Sequence, residues 1–383
     1  MSKEKPNTIK FKFYEYILYW IASGIVLLLA IPIIILKFFL FLIRATGAPL
    51  QSVRNLLGFI LVLLLLSAGY IIYEIYTPID LGSEKRSLII DEAAPFHKIA
   101  GDLQKGGLIK SRHLFRMAAI ISHIDTKILP GRYDFTGRVS LYDVLHKFKR
   151  QEIATLLLTF PEGLTIYKTA SLLAANLQID STSFVARAVD TAFTRYKYNI
   201  DGLEGYLFPE TYLFWYGIRI DGIIDMMLTQ FHRQTAGIFD SLLPDCNSVK
   251  DVLTLASIIE AEAGNNEEMP LISSVYHNRL RDKILLQADP TILYALGGLR
   301  RPLTHEDLNI ISPYNTYNNG GLPPGPINSP GLAAIKAALH PARTDYGYFV
   351  ANGSGRHIFS RTLAEHNQAR YKVKVLQKVL KKN

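Results

Sequence analysis

The chain has 383 residues, nearly half of them apolar, which is enough for a membrane anchor and two modest folded domains. Its net charge of +9 would suit nucleic acid, anionic lipid or an anionic polymer; with no zinc-finger spacing and no aromatic ribonucleoprotein motif, no nucleic-acid partner is expected. Cys246 is the sole cysteine, so no internal disulfide can form and an exported fold must rely on its core.

Two apolar segments come first. "YILYWIASGIVLLLAIPIIIL", residues 16–36, reaches the roughly 20 apolar residues needed to span a bilayer. "FILVLLLLSAGYIIY", extended by its flanks to residues 58–76, is the second. Neither resembles a cleaved signal peptide. If the remainder of the chain lies outside the cell, the loop with Arg44 and Arg54 is cytoplasmic, as the positive-inside rule prefers. A full first span would then put Lys3, Lys5, Lys10 and Lys12 outside, which the rule disfavours. Pro32 and Lys37 leave a re-entrant or interfacial course open for that segment.

The soluble part opens as strand, helix, helix, strand. Ser87–Ile90 reads as a strand, Pro95 opens a helix that Gly106 and Gly107 stop, Ser111 caps the next, and "PGRYDF" alternates like a strand. This βααβ order has the shape of a small LysM-like module; glycan binding and a plain spacer fit it equally. Ser140 caps a short helix, and "IATLLLTF" reads as a buried strand. A helix in "PEGLTIYKTASLLAANL" follows. "GLEGYLFPETYLFWYG", residues 202–217, reads either as a packed loop or as a cleft wall carrying Glu204 and Glu210. A long helix is expected around Ile223 to Phe239.

"NSVKDVLTLASIIEAEAG" is a well-signalled helix, with Ser248 and Asp251 in capping positions and Gly264 at its end. "EEMPLISSVYHNRLRD" is a second, with Pro270 tolerated in its first turn. In "QADPTILYALGG", Asp289 can cap a helix that Gly297 stops. A long Pro/Gly/Asn loop, "ISPYNTYNNGGLPPGPINSPG", is expected to be ordered and functional. Ser329 and Pro330 lead into "GLAAIKAALHP", "YGYFVANGSGRHIFS" reads as a hairpin around Asn352–Gly353, and a basic amphipathic helix closes the chain.

Glu260 and Glu262 stand two apart, which on a helix turns them roughly 160° from each other. They cannot share one site as a catalytic pair. Val252, Leu255, Ala256, Ile259 and Ala263 make an apolar face that Glu262 borders, whereas Glu260 lies off its other edge, nearer Leu253. A carboxyl beside apolar packing loses hydration and holds its proton more tightly, as a general acid near neutral pH must. Glu262 is therefore the acid candidate and Glu260 a structural contact, although spacing alone also fits an ordinary salt-bridged Glu262. Asn278, on the apolar side of the next helix, is placed either to hold Glu262 or a substrate amide, or as a satisfied core amide. His340, His357 and His366 are scattered, and no His/Cys/Asp cluster has metal-ligand spacing, so neither a metal nor a cofactor is expected. The tyrosines, 21 of them against 2 tryptophans, suit sugar-binding surfaces, though half-buried packing is their commoner use.

"LASIIEAEAG", "VYHNRL", "LQADPTILYALG", "SPYNTY", "GLPPGPINSPG", "ALHPA" and "YFVANGSGRHIFS" occur here in the order seen in the MltG (YceG-like) endolytic murein transglycosylases, which this chain resembles over roughly residues 85–375. The resemblance implies an α+β fold with an N-terminal transmembrane anchor (residues 1–78), a LysM-like subdomain (85–160) and a YceG-like catalytic domain (161–383). It implies a bacterial cell-membrane protein with its catalytic domain on the extracytoplasmic side, acting on peptidoglycan glycan strands between N-acetylmuramic acid and N-acetylglucosamine. It matches Glu262 to the catalytic glutamate. It puts Asn278, Gln287, Asp289, Tyr314, Asn315, Thr316, Tyr317 and Asn328 around the substrate. Membrane lipid is a further partner, and cell-wall synthases are another that no residue identifies. The usual family member has a single N-terminal span, so the additional apolar segment is a departure. A muramidase working through the same glutamate and a catalytically silent glycan-binding scaffold are the competing readings.

Overall fold

The structure, a computed structural model, describes residues 50–92, 94–240, 242–298 and 301–380, together with Lys37 and Phe41. The first apolar segment, residues 16–36, lies outside these. The second forms helix α1 (Leu50–Tyr76). Its stretch Arg54–Tyr76 is long and apolar enough to cross a membrane: 23 residues rise about 35 Å against a hydrocarbon core of about 30 Å. Leu57, Phe59, Leu61, Leu65 and Leu66 are all exposed on it.

The chain divides into two compact units. One takes the described residues up to Thr155, plus residues 215–217. It contains β1 (Ile79–Asp80), β2 (Arg86–Ile90), α2 (Phe96–Lys105), α3 (Arg112–Ile121), β3 (Gly131–Phe135), β4 (Arg138–Val139) and α4 (Leu141–Lys149). β2 pairs antiparallel with β3, so the βααβ order closes on itself, and β1 pairs with β4, a short ladder that the sequence pattern did not reveal. The helix caps follow local chemistry: Ser111 accepts from Leu114 N, and Ser140 with Asp143 makes a full capping box. Leu103, Phe115, Tyr133 and Phe148 fill the core, with the Tyr133 hydroxyl donating to Leu129 O.

The other unit takes residues 156–214 and 218–383. β5 (Thr155–Thr159) pairs with β6 (Thr211–Trp215). β5 is not the buried strand its composition suggests, since Leu157 is 67% exposed and only Leu158 is buried. A two-stranded ribbon has two faces and here buries one. α5 (Ile166–Leu177), α6 (Ser181–Val189), α7 (Thr191–Tyr198) and α8 (Ile220–Gln234) surround it in sequence. α8 stops short of the expected Phe239; after Gln234 the chain turns at Gly237, whose φ of 72° is left-handed.

α9 (Val249–Glu262) is the centre of this unit, packed most extensively on α12 (Leu332–Leu339), then on α10 (Met269–Arg281) and α11 (Asp289–Ala295). Every residue from Val252 to Ile259 is buried. The apolar face read from Val252, Leu255, Ala256 and Ile259 is therefore only part of what α9 buries: this stretch is covered all round, and Thr254 and Ser257 satisfy their hydroxyls on carbonyls of their own helix. The long loop before α12 is ordered. Gly163 N donates to Ser329 O and Ser329 N to Leu164 O, and Ile327 N and the Asn328 amide both reach Ser257 in the middle of α9. The hairpin β7 (Tyr348–Ala351) and β8 (His357–Ser360) turns through residues 352–356, and α13 (Leu363–Leu380) ends the described chain. Gly264 does not end α9 by a left-handed turn; Ala263 is the cap, in extended conformation. Gly264 serves close approach instead, since a Cβ there would stand 2.4 Å from Gly355 O in the hairpin turn.

Candidate active site

α9 begins with Ser248, which accepts from Asp251 N and donates to the Asp251 carboxylate. It ends on Glu262, its last helical residue. The Glu262 side chain is half-buried. Its Oε1 accepts a hydrogen bond from the hydroxyl of Tyr276 on α10 at 3.3 Å, long for an O–H···O bond and correspondingly weak. Burial pushes the Glu262 carboxyl up to about 7, and the nearby Asp289 charge pushes the same way. The Tyr276 bond and the charge of Arg279 oppose this without reversing it.

Arg279 is buried, and a buried arginine paired with Glu262 would leave no acid there. No such pair is present among the described residues. The Arg279 guanidinium donates instead to Leu286 O at 2.7 Å, Gly347 O at 2.8 Å and Leu285 O at 3.4 Å, and its charge sits 5.2 Å from the Tyr348 ring centre. It pins two stretches of backbone, at residues 285–286 and at 347, and lends Glu262 only its field. Asp289 completes the surroundings: its Oδ1 accepts from the Tyr317 hydroxyl at 2.6 Å. Asp289 is the first residue of α11 and Ala288 occupies the capping position, so the carboxylate does not cap the helix as expected.

Glu260 is also half-buried, and burial raises its carboxyl first, with the Glu162 charge adding to that. Desolvation therefore does not separate the two glutamates; their contacts do. Glu260 Oε2 accepts from Gly331 N at 3.0 Å, the residue that opens α12. A Cβ at Gly331 would fall 1.7 Å from the Glu162 carboxylate, so any larger residue there requires the exposed Glu162 side chain to swing aside. Glu260 thus serves the packing of α9 on α12, while Glu262 faces tyrosine hydroxyls and a second carboxylate. An acid with its proton retained near neutral pH, and with no cation bound to it, can give a proton to a leaving oxygen and take one back.

The remaining expected residues separate into those beside Glu262 and those holding the scaffold. Asp289 and Tyr317 are beside it. Asn278 is not a Glu262 partner: both its amide hydrogens go to Thr344 O and Tyr346 O, the satisfied-amide alternative. Asn315 is fully buried and ties Leu308 O and Ile310 O to Tyr317 N. Thr316 receives Ala288 N and shares a bond with the Thr291 hydroxyl, docking the loop onto α11. Gln287 is exposed, with a left-handed φ of 49°, and its N–H donates to Thr316 O. Asn328 anchors to Ser257 O and leaves its Oδ1 buried without a partner among the described residues. Tyr314 lies away from these, its ring centre 5.0 Å from that of Tyr294. Glu210 is exposed and accepts from Thr211 N and Gln230. His357 bonds Glu268, and His366 stacks on Tyr348.

Sequence reasoning missed Tyr276 and Arg279. They stand three apart, on one face of α10, and Asn278 points elsewhere.

The YceG-like family model matches residues 88–372. The endolytic murein transglycosylase of Bacillus subtilis strain 168 is 32% identical over 328 residues, which are 80% of this chain and 91% of that protein. That of Streptococcus pneumoniae serotype 2 is 31% identical over 352 residues, and the chain spans 64% of its length. A crystal structure of a yceG-like protein from Listeria monocytogenes is 33% identical, with a TM-score of 0.53, covering 74% of this chain and 98% of that one. With most of its soluble length matched by the family model and by relatives of this similarity, the chain belongs to the YceG-like family.

Proposed function

We propose that this chain is an endolytic murein transglycosylase, cutting the glycan strands of peptidoglycan from within, and that Glu262 is its catalytic acid and base. The observation that carries the assignment is a half-buried carboxyl held up to about 7, with no cation bound to it, in a chain whose relatives carry that name. An ordinary glycosidase needs a second carboxyl for water or for a covalent intermediate. Here the second nucleophile is the sugar's own. Glu262 gives its proton to the glycosidic oxygen as the bond from the muramic acid C1 breaks. The primary hydroxyl of that same sugar then bonds to C1, and its proton returns to the Glu262 carboxylate. The product carries a 1,6-anhydro ring, the acid is regenerated and no water is consumed. Attack from within one sugar has the advantage of proximity. Asp289 helps keep the proton on Glu262 between turnovers, and Tyr276 steadies the carboxylate once the proton has left.

The arrangement around this centre belongs to the same reading. Residues 1–78 anchor the chain in the cell membrane through α1, in contact with lipid. Arg44 and Arg54 mark the cytoplasmic side, and the catalytic unit faces outward. The β2–α2–α3–β3 motif of residues 85–160 is LysM-like and meets glycan or spaces the catalytic domain of 161–383 from the bilayer. Cell-wall synthases are a partner class for such an enzyme. Mass spectrometry of digested glycan strands tests the chemistry: the unaltered chain yields anhydro ends and Glu262→Gln yields none. Reducing ends, heavier by one water, would make the enzyme a muramidase; unchanged anhydro production by Glu262→Gln would remove Glu262 from the mechanism.

A further inference from the structure

Glu204 stands outside the group around Glu262 and is used by none of the steps above. It lies in the turn before β6, and its carboxylate accepts from Ile166 N, at 3.0 and 3.3 Å, and from the Tyr294 hydroxyl at 3.2 Å. It forms part of the wall of a cavity of about 190 Å³, together with Tyr167, Tyr206, Tyr294, Tyr314 and Lys250. Drug-sized ligands occupy roughly 300–1,000 Å³, so this space suits one ring and not an oligomer. Burial pushes the Glu204 carboxyl up to about 7, which lets it offer a donor as well as acceptors near neutral pH.

The cavity is joined to the Glu262 site through shared elements. Asp289 and Tyr294 sit on α11, five residues and so about 7–8 Å apart along its axis. Tyr317, which bonds Asp289, and Tyr314, which packs on Tyr294, sit on one loop that runs in the opposite sense to α11. Five residues also turn Asp289 and Tyr294 roughly 140° apart around α11, so a polymer that meets Asp289 and Tyr317 at one point passes around the helix to meet Tyr294 and Tyr314 at the next. Tyr206 is itself buried, and the partly open rings of Tyr167, Tyr294 and Tyr314 offer apolar faces edged with hydroxyls, the surface a sugar ring presents in return. Lys250 and Asp201, one of each sign, leave the lining balanced, as a neutral ligand prefers.

We infer that this cavity is a remote saccharide subsite that takes one N-acetylhexosamine ring of the strand whose scissile bond lies at Glu262. The inference rests on the activity proposed above. It gives an endolytic enzyme a grip on the strand away from the bond it cuts.

The test uses the full chain in detergent carrying Glu262→Gln, so that strands bind without turnover. Affinity is measured for peptide-free glycan strands of increasing length. Tyr167→Ala removes an exposed aromatic face. Gly325→Val fills the space instead, since a Cβ at Gly325 would stand 3.5 Å from the Tyr314 hydroxyl and 3.6 Å from Lys250 Cε while deleting no group. Thermal melts confirm that each variant is folded. Affinity should rise once strands are long enough to reach the cavity, and both changes should cut that rise about tenfold, the equivalent of one good contact. No rise with length, a rise undiminished in the folded variants, or a loss seen only with peptide-bearing strands would each overturn the subsite. Absence of anhydro ends in digests by the unaltered chain would instead speak against the proposed chemistry, and this binding measurement does not depend on it.

Discussion

Replacing Glu262 by glutamine should stabilise the protein, and only above mildly acidic pH. A carboxyl whose pKa is raised from 4.5 to about 7 keeps its proton in the fold over a range where the unfolded chain has lost it. Stability therefore falls as pH rises from about 4.5 to about 7 and is level beyond. At about 1.36 kcal/mol per pH unit the penalty is bounded at about 3.4 kcal/mol. Solvent reaching the half-buried carboxyl reduces it to about 2 kcal/mol. Glutamine carries no charge and escapes the penalty. Glu204 is similarly raised, but it is present in both proteins and cancels in the difference. For a unit of this size, about 2–4 °C of melting temperature per kcal/mol converts the gap to roughly 4–8 °C. Thermal denaturation of the two full chains in detergent, at about pH 4.5, 6 and 8, reads it directly. The offset should grow between the first and last and saturate. A constant offset at all three would show that Glu262 is no proton-holding acid, whatever its place in the fold.

Activity of the unaltered enzyme should decline above about pH 7, as Glu262 loses the proton it must donate. Tyr276→Phe deletes a bond that favours the carboxylate, so that alkaline limb should move upward by up to about one pH unit, and a pH–rate profile that stays put or moves down refutes the contact. Glu260→Gln keeps an oxygen for Gly331 N and should retain anhydro-forming activity within about tenfold, unlike Glu262→Gln. Gly264→Ala drives a Cβ against Gly355 O and should cost about 1–3 kcal/mol, seen as a lower melting temperature; an unchanged melt would mean that the hairpin yields freely.

What the sequence revealed depended on how local the determining physics was. Ser111, Ser140 and Ser248 cap their helices because a cap is settled within four residues. β1 with β4 was invisible, since a two-residue ladder carries no period to detect. α9 shows the limit of amphipathic reasoning. Glu262 was singled out from an apolar stripe, yet Leu253, Ile258 and the rest of the helix middle are buried too. What distinguishes Glu262 from Glu260 is long-range: α12 claims one through Gly331, and α10 reaches the other through Tyr276. Asn278 illustrates the same point in reverse, because its partners at 344 and 346 are distant in sequence and leave no mark in its own helix.

The position of Glu262 on the final turn of α9 has a consequence of its own. The aligned peptide dipoles of a helix leave roughly half a negative charge at its carboxyl end, and a carboxylate there is disfavoured by about 0.3–1 kcal/mol. The last turn of α9 carries no basic side chain to offset it. The backbone itself thus helps to keep the proton in place, in addition to burial. One further turn of helix would carry that pole past Glu262 and weaken its hold, so the point at which α9 stops is itself a setting for how readily the acid lets go.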